Sequence, residues 1–185
     1  NSTKVEIKWI NSEKLNKKNI NEQLKKWNGI LVPGGFGLRG IVGKIEAIRY
    51  ARENDIPFFG ICLGMQLAVI EIARNVLNLK NANSSEFKST SKSVVGLMTE
   101  WVKGSRIEKR NINSNKGGTM RLGSYKAKLK KNSKIYSIYK KNIISERHRH
   151  RYEVNEKFIP KFKNKGYIFS GISPDGILPE VFESK

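Results

Sequence analysis

Cys62, the only cysteine in the chain, lies in FFGICLGMQLA, residues 58–68, with Gly60 and Gly64 two positions to either side. A nucleophile carried on a sharp strand-to-helix turn has a strained backbone, and bulky side chains two residues before and after it collide. Glycine is needed at both places. Gly60-Ile61-Cys62-Leu63-Gly64 has that nucleophile-elbow form, with an apolar run before it and an amphipathic stretch after it. The N-terminus of the following helix favours thiolate over thiol. A buried cysteine in a core helix is the better reading of the bare G-x-C-x-G pattern; the strand and helix context brings the two level. Upstream, VPGGFG at residues 32–37 is a strand end followed by a glycine turn. Such a turn can aim backbone N–H groups at a developing oxyanion, with the N–H of Leu63 as the other donor. Taken alone it is equally an ordinary tight turn.

The elements that position these residues follow from periodicity. Residues 4–10, KVEIKWI, alternate and predict a strand; Ile20 to Trp27 is a short amphipathic stretch. Ile30 to Val32 is a buried strand that ends at Pro33. Ile45, Ala47, Ile48 and Ala51 share one helical face over 42–54, Pro57 separates that helix from the strand Phe58–Ile61, and Leu63–Leu77 is a second helix. Strand, helix, strand, helix at these lengths predicts an α/β fold with an open, mostly parallel sheet flanked by helices. After about residue 94 the pattern becomes strands and turns, and the polar residues 103–118 predict a mobile loop.

With 185 residues, 38% of them hydrophobic, the chain can bury one sizeable core, so 1–185 is read as a single domain. A lone cysteine makes no internal disulfide and fits a reducing compartment. No apolar run approaches the ~20 residues of a membrane span, and no signal-like segment opens the chain, so the expectation is a cytoplasmic protein without a membrane partner. The net charge of +20 raises a nucleic-acid reading. The lysines are nevertheless scattered among asparagines, without zinc spacing or an aromatic RNA-binding signature, so a solvated basic surface is the better account.

VPGGFGLRG, FFGICLGMQLA, NANSSEF, GGTMRLG and ERHRHRYEVN occur in this order. In this the chain resembles the class I glutamine amidotransferase domains of CTP synthases; the first two motifs are common to class I amidotransferases and the last three particular to CTP synthases. The resemblance spans roughly residues 28–172. It implies hydrolysis of L-glutamine to glutamate and ammonia, the ammonia serving a separate N-terminal synthetase domain that aminates UTP to CTP with ATP and Mg²⁺. It also implies homo-oligomers formed through that domain and activation by GTP, with no cofactor in the glutaminase domain itself and no metal site. Residue by residue, Cys62 would be the nucleophile that forms a γ-glutamyl thioester, and the N–H groups of Gly35 and Leu63 the oxyanion hole. Phe36, Gly64, Met65 and Gln66 would line the glutamine pocket. Glu86 would meet the substrate's α-ammonium, and Arg151 with Tyr152 its α-carboxylate. Leu38, Arg39 and Gly40 would belong to a lid with a regulatory role.

Read without the resemblance, Glu86 is a surface or capping carboxylate, Gln66 faces solvent, and RHRHR is a strand with arginines on one face and His148 and His150 on the other, suited to a phosphate or an interface. The resemblance favours the functional reading for Glu86, Gln66 and Arg151 and leaves both histidines unassigned.

A cysteine amidase needs a general base and a carboxylate to orient it. The resemblance places both in a His-Pro-Glu segment, whereas the only two histidines here are those of RHRHR. The expectation is that this segment lies beyond Lys185 and that residues 177–185 are poorly packed; if instead the protein ends there, it is a weak or dead glutaminase whose Cys62, lacking an imidazolium neighbour, reacts sluggishly. The alternative to a glutaminase is a non-catalytic glutamine-binding or regulatory module of the same fold.

Overall fold

The computed structural model describes residues 2–88, 91–97, 100–103, 106–109 and 120–184, and over 100–109 the backbone. Residues 2–10 adopt no regular structure, contrary to the strand expected at 4–10. Val5, Ile7 and Trp9 are 73%, 70% and 85% exposed: among the described residues the alternating face meets no partner strand, and its apolar side chains stay in water. A 3-10 turn at Ser12–Lys14 and α1 (Ile20–Leu24) follow, with Leu24 buried beside Leu15 and Trp27.

The next four elements alternate as the periodicity predicts: β1 (Ile30–Val32), α2 (Ile41–Glu53), β2 (Phe58–Gly60) and α3 (Leu63–Asn75). β1 and β2 run parallel, Leu31 opposite Phe59, joined by the α2 crossover that parallel strands require. α3 is buried on almost every side, with Leu67, Val69, Ile70 and Ala73 fully inaccessible. A helix buried on nearly every side belongs in a core, and the polar side chains it buries, Gln66 and Glu71, are both hydrogen-bonded. Ile41, Ile45 and Ile48 of α2 pack on it from one side.

Beyond α3 the sheets differ from the expectation of a mostly parallel arrangement. β3 (Asn83–Ser84) and β4 (Ser93–Leu97) pair parallel, and β9 (Tyr152–Val154) adds antiparallel to β4. β5 (Glu100–Lys103) and β6 (Arg106–Lys109) form an antiparallel hairpin. β7 (Arg121–Leu129), β8 (Ile143–His150), β10 (Tyr167–Ile172) and β11 (Pro179–Ser184) make a fully antiparallel sheet in the order β11-β10-β7-β8. Two short helices, α4 (Lys134–Tyr139) and α5 (Ile159–Lys163), lie among them. Among the described residues only β1–β2 and β3–β4 are parallel pairs. The cause is connectivity: one long helical crossover is present in the first third, and after residue 120 the chain reverses between the strands it pairs.

Two further expectations need correction. The loop expected over 103–118 contains β6; residues 110–119 lie outside the described residues. Residues 177–184 are packed, not loose. Leu178 and Pro179 are buried, and Phe182 stacks on Tyr167 with their centroids 5.7 Å apart while closing on Phe162 and Phe169. The Glu183 carboxylate accepts the N–H groups of Lys134 and Ile135 at 3.1 Å, capping α4. Aromatic burial and ladder pairing together hold this strand. Among the described residues no helix is long and apolar enough to cross a membrane.

Candidate active site

Cys62 sits between the end of β2 and the first residue of α3 with φ 52° and ψ −107°, a left-handed backbone that costs a non-glycine residue on the order of 1–3 kcal/mol. The flanking glycines make that turn sterically possible. A Cβ on Gly60 would lie 2.6 Å from the Gly64 carbonyl carbon, and one on Gly64 would lie 2.1 Å from the Val32 oxygen. The glycine turn after β1 comes up against Cys62 from the other side: a Cβ on Gly34 would be 3.4 Å from that of Cys62.

Burial pushes the Cys62 thiol above its ordinary range. The N–H groups of Leu63 and Gly35, which point at the sulfur, work against that rise, and the carboxylates of Glu153 and Glu86 add to it. Burial therefore outweighs the helix N-terminus that the sequence put forward as favouring thiolate. The thiol donates weakly to the Arg149 carbonyl at 4.0 Å. Because only the thiolate is nucleophilic, the alkylation rate of Cys62 with iodoacetamide is expected to climb about tenfold per pH unit from neutrality and still to be rising near pH 9. A plateau below about pH 8 would mean a depressed pKa.

Glu86 accepts the N–H of Gly37 at 2.9 Å and so ties the turn after β3 to the glycine turn. Gln66 does not face solvent: it is 5% exposed and donates from Nε2 to the Tyr152 carbonyl at 2.7 Å, fixing α3 to β9. Arg151 occupies the bend between β8 and β9, and its Nε is buried without a hydrogen-bond partner. Phe36 is half exposed beneath the Arg149 guanidinium, 5.8 Å from ring centroid to Cζ. Gly35 and Leu63 thus act on Cys62 directly and Glu86 through its charge, while Gln66 and Tyr152 bond each other across α3 and β9. Met65 and Tyr152 are both partly buried and pack on the main core. Arg39 lies outside this group: it pairs with Glu13 at 2.9 Å beside an open cleft of about 350 Å³ lined by Ile10, Asn11, Ser12, Phe36 and Lys44.

Residues to which the sequence assigned no role also gather here. Arg149 was visible only as one arginine of an alternating run, yet its carbonyl faces the thiol. His148 and His150 turn inward, as strand alternation allows, and join Arg121, Glu153 and Glu180 in a buried cluster. Among the described residues no group of three or more His, Cys, Asp or Glu is placed to hold a metal ion.

The class I glutamine amidotransferase family model matches residues 1–185. The CTP synthase of Pelagibacter ubique is 59% identical over 186 residues, covering 100% of this chain and 34% of its own length. That of Agrobacterium fabrum is 56% identical over 183 residues, 99% of this chain and 34% of its own. The chain spans about a third of the length of these curated relatives. Among solved structures, the glutaminase domain of Trypanosoma brucei CTPS with bound acivicin superposes with a TM-score of 0.80 at 37% identity, over 99% of this chain and 67% of that one. The chain belongs to the class I glutamine amidotransferase family, of the kind that forms the glutaminase domain of CTP synthases.

Proposed function

We propose that residues 1–185 act as one glutaminase unit in which Cys62 is the nucleophile on a strand-to-helix elbow. The observation that carries this is the pair of N–H groups, from Gly35 and Leu63, aimed at the sulfur at the start of α3. A thiolate at that place attacks the side-chain amide carbon of L-glutamine. The carbonyl oxygen takes up the negative charge within reach of the same two donors. Collapse breaks the C–N bond, ammonia leaves with the added proton, and a γ-glutamyl thioester remains. Water then cleaves the thioester to glutamate and restores the thiol. The proton transfers need a base that neither His148 nor His150 supplies, since both are tied into the buried cluster.

Recognition falls to groups at the two ends of the amino acid. The unpartnered Arg151 Nε is suited to the α-carboxylate and Glu86 to the α-ammonium, with Tyr152 beside them. Phe36, Gly64 and the Met65 backbone form the walls, and Gln66 holds the β9 side of the pocket against α3. In the larger protein the ammonia would pass to a synthetase domain that uses ATP and Mg²⁺ to convert UTP to CTP in the cytoplasm, within a homo-oligomer built through that domain. GTP would act at the Leu38–Gly40 lid. None of those nucleotide steps uses the residues placed around Cys62.

The test is covalent and needs no turnover. An α-amino acid chloroketone of glutamine's length is expected to add once, on Cys62 by peptide mapping, with L-glutamine protecting saturably and D-glutamine not. Absence of an adduct, or an adduct that glutamine does not suppress, would return the chain to a non-catalytic module.

A further inference from the structure

Arg121 opens β7 with its side chain 3% exposed, held at both ends. Nη1 donates to Glu153 Oε1 of β9 at 3.2 Å and Nη2 to Glu180 Oε1 of β11 at 2.5 Å. The Tyr125 ring lies beneath, 4.3 Å from Cζ to centroid. The chain of contacts then closes on itself. Glu153 Oε1 lies 3.1 Å from His150 Nδ1, His150 Nε2 is 2.7 Å from His148 Nδ1, and His148 Nδ1 is 3.6 Å from Glu180 Oε2. Tyr125 meets His148 edge-on at 5.4 Å.

Protonation sets the direction of the bond between the two histidines, and the 3.6 Å approach of His148 to Glu180 is a contact without a shared proton. Burial, with Arg121 and His150 adding, pushes His148 down to about 3, so it is a neutral acceptor through Nδ1. Burial also pulls His150 down, but the hydrogen bond and charge of Glu153 outweigh that and the net shift is upward. In an imidazolium at His150, Nε2 donates to His148, and Nδ1 faces Glu153 at ion-pair distance without hydrogen-bond geometry, so two cations balance two carboxylates.

A buried ionic ring is a poor source of stability, because well-packed apolar side chains of equal volume commonly do as well. What it supplies is fixed geometry, and its position says for which group. Arg121 is the ladder partner of His150, immediately before the bend, and its guanidinium binds Glu153, two residues after it. Arg151 stands between, with a buried Nε that has no partner. We infer that Arg121, braced by Glu180, is a positioning residue for substrate: it clamps the β8–β9 bend on both sides and so aims Arg151 at the α-carboxylate of the ligand.

This rests on the glutaminase reading, and the test separates the two. Labelling of Cys62 is compared for two electrophiles, the amino acid chloroketone, which carries an α-carboxylate, and iodoacetamide, which does not. In Arg121→Lys a single ammonium cannot span both carboxylates. The chloroketone concentration for half-maximal rate is expected to rise roughly ten- to a hundredfold, while the saturated rate and the iodoacetamide rate stay within about twofold. Glu180→Gln, which keeps an acceptor but loses the brace, is expected to give a smaller change in the same direction. Unchanged half-saturation in both variants overturns the proposal. So does a parallel fall in both labelling rates or a failure to fold, which assigns Arg121 to structure alone. If the unaltered protein shows no glutamine-protected labelling, the glutaminase reading itself has failed.

Discussion

Gly64→Ala is expected to leave little folded protein, and any folded fraction is expected to lose chloroketone labelling. The added methyl group would sit 2.1 Å from the carbonyl oxygen and 3.0 Å from the carbonyl carbon of Val32. Both atoms are backbone of β1, which is paired to β2 and cannot swing aside as a side chain could. Relief requires α3 to lift from the strands, and α3 carries the main core on nearly every face. Forced overpacking of this kind costs on the order of 3 kcal/mol or more, against a total domain stability of roughly 5–15 kcal/mol. Moving α3 also carries the Leu63 N–H and Cys62 away from the Gly35 turn, so surviving molecules lose the site first. Gly96→Ala is the control: a Cβ there meets nothing within 4 Å. In a strand that change is expected to be neutral or to stabilise by a fraction of about 1 kcal/mol. Urea midpoints of the two variants make the comparison, and a Gly64→Ala protein as stable as Gly96→Ala would remove the steric argument.

The same glycines explain what could be read in advance. The chemistry of the turn is local, since five consecutive residues prescribe a backbone that only one arrangement of strand and helix accommodates. The run of elements from residue 30 to residue 75 was legible for the same reason: each has its own period, and β1–α2–β2 closes by a single helical crossover. The second half was not, because an antiparallel partner is chosen by tertiary contact rather than by the strand's own composition. Residues 4–10 show the opposite failure. Alternation there is as clear as in any strand, yet without a partner the pattern has nothing to bury.

Within the site, the types of Glu86, Gln66 and Arg151 could be seen in the sequence but not their bonds. That Gln66 grips a carbonyl of β9, or that Arg121 spans two strands far apart in sequence, depends on long-range placement that no spacing rule encodes. The fate of the cysteine likewise turned on magnitude: a helix N-terminus and burial act in opposite directions, and burial prevails.

Glu71→Ala is expected to destabilise the chain by about 3–5 kcal/mol, although Glu71 touches nothing in the site. Its side chain is fully buried on α3 and receives Arg52 from α2 through Nη2 to Oε1 at 2.8 Å and Nε to Oε2 at 3.0 Å; Asn75 Nδ2 adds a bond to Oε1 at 2.9 Å. The hydrogen bonds to Glu71 raise the Arg52 pKa further, but the guanidinium stays charged even when the carboxylate is removed, because its ordinary pKa already lies far above neutrality. Truncation leaves that partly buried cation with Glu53 Oε1, 3.3 Å from Nη2, as its remaining partner beside a new cavity, and it leaves an Asn75 donor unpaired. Replacing both partners, as in Arg52→Met with Glu71→Leu, removes the charge and fills the space. The double variant is expected to lie within about 1 kcal/mol of the unaltered protein, so the two effects are strongly non-additive. The comparison bears on function because α2 begins where the glycine turn ends and α3 begins at Cys62. If packing alone sets the distance between these helices, the apolar pair keeps chloroketone labelling. If the forked ion pair sets it, stability returns and labelling does not, and the clamp then belongs to the machinery that holds Gly35 over the thiol.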